Sequence, residues 1–249
     1  MQRIHTRGGF TLAMIGLTAV GALTLPVGVQ ADLLDDFNDG DDIGWTRFTL
    51  PSDLPGASWD ASTGVYRLSV EDTVPSGAGV ASLLDITADP SFWNGYWWAT
   101  VVRETENSLS HLFMRGDLEA VNAYLFAWYP ETGLSIWRID GGSGTMLAND
   151  ETFVQDVGTQ YIMEAGAIAM ESGASDLELR MWPLGDDRPE FPQVATTDSA
   201  YAFGTNGVVS LANSAGDLSA TFDDVSFVPE PTTLALVVLG GLLIASRRR

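Results

Sequence analysis

The sequence predicts an all-β protein, an antiparallel sandwich of two sheets built from residues 32–228. Three observations carry that expectation. Short runs rich in Val, Tyr, Phe, Trp, Leu and Thr recur about every ten residues. Several of them alternate apolar and polar side chains, the period of a strand with one buried face. Gly, Asp, Asn, Ser and Pro punctuate the runs, and helical periodicity is confined to the two ends of the sequence.

The first segment reads as a signal helix. Residues 1–9 hold Arg3 and Arg7 and no acid, Phe10 to Leu25 is almost continuously apolar, and Val29-Gln30-Ala31 places small side chains at a cleavage site. This is the pattern of a secretory signal peptide over residues 1–31, cleaved after Ala31. The mature chain then opens at Asp32 with a string of acids.

The strands follow in order. Gly64–Val70, Tyr96–Arg103, Val121–Tyr129 and Leu134–Asp140 alternate. Gln160–Met170, Asp176–Trp182, Gly207–Ala212 and Leu218–Val228 complete the expected set. No internal repeat, long linker or low-complexity tract divides them, so residues 32–228 form one domain.

Residues 229–249 read as a third unit. Pro229-Glu230-Pro231 precedes the uncharged run Thr232–Ser246, and Arg247, Arg248 and Arg249 follow. As a helix the run spans about 22 Å, against roughly 30 Å of hydrocarbon. Arginine side chains that reach to the interface lengthen the effective span. A single transmembrane helix is expected, with the arginines on the cytoplasmic side.

These residues resemble the PEP-CTERM sorting signal of Gram-negative bacteria. The resemblance implies an exosortase-type processing protease that recognises Pro229, Glu230 and Pro231. It implies a protein exported through the inner membrane, transiently membrane-anchored, and delivered to the cell surface or a polysaccharide matrix. The resemblance implies that the tail is an address and says nothing about activity.

The domain itself resembles the concanavalin A-like (laminin G-like) jelly roll. Asp35-Asp-Phe-Asn38 leads to Gly44-Trp45, Trp59 precedes Gly64-Val-Tyr-Arg-Leu68, and Gly207-Val-Val-Ser-Leu211 precedes Ala220–Phe227. The resemblance implies first and last strands lying side by side. It also implies one structural Ca2+ between them, with Asp36, Asn38, Asp223 and Asp224 as ligands, the alternative being a turn of solvated acids held by Asx hydrogen bonds. Calcium takes six to eight oxygens in flexible geometry. Strand alternation would put Asp223 and Asp224 on opposite faces.

Charge and composition exclude other classes. Residues 32–229 hold seven arginines, no lysine and 32 acids, a balance of −25. Such a surface repels nucleic acid and anionic lipid, and salt screens its self-repulsion. With no cysteine, thiol catalysis, thiolate metal sites and disulfides are absent. Beyond the signal segment His111 is the sole histidine, and no Gly-x-Ser-x-Gly occurs, so neither a Ser-His-Asp site nor a His-rich zinc site is supported. The Glu-x-Asp-x-x-Glu strand of jelly-roll glycosidases is missing as well.

Aromatics are the remaining chemistry. Trp97, Trp128 and Trp137 are candidates for stacking on sugar rings, the alternative being a place in the core. The sequence therefore points to a carbohydrate-binding or structural module. The alternatives are a glycan-active hydrolase of the same fold and a ligand-free matrix spacer.

Overall fold

The computed structural model describes residues 32–117 and 119–229. Ala31 and the rest of the expected signal helix lie outside the described residues, as do Glu230, Pro231, the run 232–246 and Arg247, Arg248 and Arg249. No helix among the described residues is long and apolar enough to cross a membrane.

Fifteen strands make up the domain: β1 Asp32–Asp35, β2 Trp45–Leu50, β3 Ala57–Asp60, β4 Tyr66–Val74 and β5 Gly79–Leu84. Next come β6 Gly95–Arg103, β7 Ser108–Asp117, β8 Asn122–Tyr129, β9 Gly133–Asp140 and β10 Ser143–Asp150. The last five are β11 Gln160–Ala169, β12 Ser175–Pro183, β13 Val194–Asp198, β14 Thr205–Ala212 and β15 Gly216–Pro229. Between β5 and β6 the chain makes two short 3-10 turns, Asp85–Ala88 and Pro90–Phe92.

The strands form two antiparallel sheets. Sheet A has the order β13-β12-β11-β6-β15-β4-β3, with β1 also on β15. Sheet B has the order β10-β9-β8-β7-β14-β5-β2. Alternate residues of each sheet face inward. Trp97, Ala99 and Val101 of β6 meet Tyr124, Phe126 and Trp128 of β8 in one continuous core. Each fully buried large side chain there contributes about 1.5–3 kcal/mol. That lets a disulfide-free domain of this size hold itself together.

The eight expected strands correspond to β4, β6, β8, β9, β11, β12, β14 and β15. The first and last strands do lie together, with Asp32 opposite Phe227 and Asp35 opposite Val225. β4 pairs with the first half of β15 and β1 with its second half, end to end along one edge.

One expectation is corrected at this junction. Asp223 and Asp224 do not alternate across a regular strand. The register of β15 against β6 shifts between Asp223 and Ser226, and Asp224 adopts φ 48°. This is a β-bulge, whose extra residue resets the alternation. Phe222 and Val225 therefore both face the core, while Asp223 is half-buried and Asp224 exposed.

Candidate functional site

The acidic residues of the two chain ends converge at the bulge. Asp35 accepts hydrogen bonds from the Phe37 N–H (2.9 Å) and from Trp45 Nε1 (2.7 Å). Asp36 accepts from the Asn38 N–H (3.2 Å), and Asp223 from the Asp224 N–H (2.8 Å). Burial, and then the nearby charges of Asp224, Asp36 and Asp35, push the Asp223 carboxyl above its usual range. Asp35 is pushed up too, chiefly by burial. Among the described residues no three His, Cys, Asp or Glu side chains converge as a metal cluster would. Asp35 accepts a backbone and an indole N–H, while Asp36 and Asp223 each accept one backbone N–H through Oδ1.

Two of the three candidate tryptophans are corrected. Trp97 is fully buried against Trp45, and Trp128 is buried with its Nε1 donating to the Phe153 carbonyl. The Arg103 guanidinium lies 4.6 Å from the centre of the Trp128 ring. In each neighbouring pair alternation sends one residue inward, and here Trp97 and Trp128 are the inward members, so neither presents a face to a ligand. Trp137 sits on the outer face of sheet B, half-buried, with its ring edge-on to Tyr129 (5.7 Å).

The outer face of sheet A carries a locked cluster of carboxylates. Arg180 Nη1 donates to both Glu164 (2.6 Å) and Glu178 (3.0 Å), and Arg188 forks onto Glu164 at 2.6 Å through both Nε and Nη2. Tyr96 donates to Glu178 (3.2 Å), while burial and that carboxylate push the phenol up to about 12. Gly166 leaves room for the Tyr96 ring, since a Cβ there would sit 2.8 Å from it. Glu164 is fully buried beneath Arg188. These acids are engaged in ion pairs and are closed to solvent or only partly open to it.

A cleft of about 450 Å³ opens at the lateral edge of the sandwich, where β2 of sheet B meets β3 of sheet A. Thr49, Ser52 and Asp53 supply polar atoms, and Trp59 and Arg47 form an aromatic and cationic wall. Trp59 Nε1 donates to the Ala81 carbonyl (3.1 Å), which fixes the indole with one edge in the core. The Arg47 guanidinium carbon lies 5.9 Å from the centre of that ring. Arg47 is held in turn by two bonds to Asp42, of 2.8 and 2.7 Å. Burial alone would raise the Asp42 carboxyl. The Arg47 and Tyr66 hydrogen bonds outweigh it and hold Asp42 below the usual range.

Trp59 stood out in the sequence only as a landmark before a strand, and Arg47 did not stand out. Their meeting depends on β2 and β3 ending up on the same open edge of different sheets, which no local pattern encodes.

No protein-family model matches the chain, and no curated protein matches it. Solved structures do share its fold. A carbohydrate-binding module, CBM66 from Bacillus subtilis, is 17% identical over 74% of this chain and 95% of its own, with a TM-score of 0.50. A β-1,3-1,4-glucanase (lichenase) derived from a mouse hindgut metagenome is 12% identical over 79% of this chain and 98% of its own, with a TM-score of 0.51. The chain is thus a two-sheet jelly roll of the kind found in these proteins.

Proposed function

We propose that this protein is an exported jelly-roll module that binds carbohydrate in the cleft between β2 and β3, and that its tail sorts it to the cell surface or matrix. The observation that carries the reading is the cleft itself. A volume of about 450 Å³ is the size of a small-ligand site, and it combines one fixed aromatic face with a few converging polar groups. Trp59 offers the ring against which a sugar's C–H face packs, and Thr49, Ser52, Asp53 and Arg47 offer hydrogen-bond partners for its hydroxyls. The charge of −25 over residues 32–229 disfavours an anionic polysaccharide, so a neutral glycan fits best.

Two further facts support the reading. The fold is shared with a carbohydrate-binding module and with a glucanase. The tail resembles a sorting signal read by an exosortase-type protease, which would release the domain near an extracellular polysaccharide. Binding is favoured over hydrolysis because a glycosidase needs two free carboxylates across the sugar. Among the described residues the cleft is lined by one carboxylate, Asp53.

Retention on a panel of immobilised neutral polysaccharides tests this, with Trp59→Ala and Trp137→Ala run beside the wild type. Binding lost in Trp59→Ala and kept in Trp137→Ala supports the cleft. Loss only in Trp137→Ala moves the site to sheet B, and no retention on any glycan leaves a spacer. Release of reducing sugar from the panel would make the protein an enzyme.

A further inference from the structure

Sheet B turns an apolar face away from the core. Leu50, Ala81, Val209, Phe113, Leu125 and Ile139, one from each strand between β2 and β9, line a groove of about 210 Å³. Gly207 keeps the groove low, because a Cβ there would meet the Phe113 ring at 2.5 Å. Although these side chains point outward, Ala81 and Val209 are each 3% exposed, Phe113 4% and Leu125 6%. The apolar residues packed around them all belong to sheet B itself, so no second apolar layer from the described residues lies across them.

The sequence holds a segment that suits this groove. Thr232–Ser246 is uncharged and apolar, and it begins three residues after Pro229. As a helix it is about 22 Å long. The groove crosses five strand-to-strand spacings from β2 to β9, about 24 Å at the usual separation. The entry point also fits. Pro229 lies opposite Gly95, two residues from Trp93, which lines a hollow with Phe48 and Leu83. Phe48 in turn pairs with Ala81 at the β2–β5 side of the groove. A run entering there and crossing to β9 brings Arg247–Arg249 toward the exposed carboxylate of Asp140, which also pairs with Arg138.

We propose that in water the run Thr232–Ser246 lies across the outer face of sheet B, from β2 toward β9, and covers the groove. The sorting tail would thereby be sheltered from solvent by its own domain until a membrane takes it. The sugar cleft, at the edge between β2 and β3, adjoins the entry and shares Phe48 with the hollow.

Because the chain has no cysteine, pairs of them report the contact cleanly. The full chain is made with Ala81→Cys plus Ala235→Cys, with Ala123→Cys plus Ala245→Cys, and with the crossed pairings, then oxidised without detergent. Single-cysteine variants are melted beside the wild type to check the fold. If an alanine variant unfolds, Ile139→Cys replaces it with the tail partner Ala245→Cys. The expected result is intramolecular disulfide in the two direct pairs, at least tenfold above the crossed pairs. Equal yields in direct and crossed pairs, or none in any, overturn the proposal. So does a disulfide between chains, which would make the occupant a second copy. Preferential linkage of Ala123→Cys to Ala19→Cys overturns it too, in favour of the N-terminal apolar segment.

Discussion

Packed beside the Tyr129 ring at a centroid distance of 4.9 Å, the His111 imidazole is fully buried. Its Nε2–H donates to the Trp128 carbonyl (3.1 Å), and its Nδ1 has no partner. Burial pushes its pKa down to about 4. A histidine whose folded value lies below its unfolded one stabilises the fold above the unfolded value, near 6.5. That stability is lost as pH falls toward 4, by linkage on the order of 3 kcal/mol. His111→Phe should flatten the fall in unfolding free energy between pH 6.5 and 4. An unchanged slope would refute the assignment. Arg115 presents a second test. It is buried, and it donates to the Trp93, Tyr201 and Ala167 carbonyls, to Asn94 and to Ser175. Arg115→Met leaves several buried acceptors unpaired and should destabilise the domain by about 3 kcal/mol or more in denaturant titration. A loss under about 1 kcal/mol would mean that water replaces the guanidinium.

At the scale of elements, the bulge in β15 gathers like charges that the fold tolerates. A carboxyl raised in the folded state contributes stability below its unfolded value, and that contribution is lost as pH rises through the folded value. Asp223 should therefore oppose folding at pH 7, and Asp223→Asn should raise the melting temperature by about 1–3 °C in metal-free buffer. The same variant probes calcium. If the wild type gains several degrees on adding calcium and the variant gains none, the bulge binds the ion, since a ligand of the native state alone stabilises it by mass action. Strands with one buried face, such as β4 and β6, were legible because their alternation survives in the sequence. Edge strands β3, β10 and β13 were not, since they bury little on either face. β7 was missed as an alternating run for the opposite reason: nine of its ten residues are buried, so its two faces look alike.

For the whole molecule, fold and site were legible to different degrees. Turn residues and strand periods are local and announced a sandwich, whose first and last strands do meet. The site depends on which side of each strand faces inward. Trp97 and Trp98 occupy opposite faces on any strand reading, yet only the packed sheets decide that Trp97 is the interior one. Trp59 required two edges from different sheets to converge. The charge balance was fully legible and makes its own prediction. With −25 on the domain, raising sodium chloride from about 0.02 M to 0.5 M should screen the self-repulsion and raise the melting temperature. A flat or falling curve would mean that ion pairs such as Arg67–Glu104 matter more than the net charge. The central claim, a sugar held in the lateral cleft, is tested most directly by calorimetric titration of a neutral oligosaccharide into wild type and Trp59→Ala. The account predicts saturable binding to the wild type and a loss of tenfold or more in the variant, about 1.4 kcal/mol, with the melting curve unchanged. Equal affinity in both proteins would contradict it.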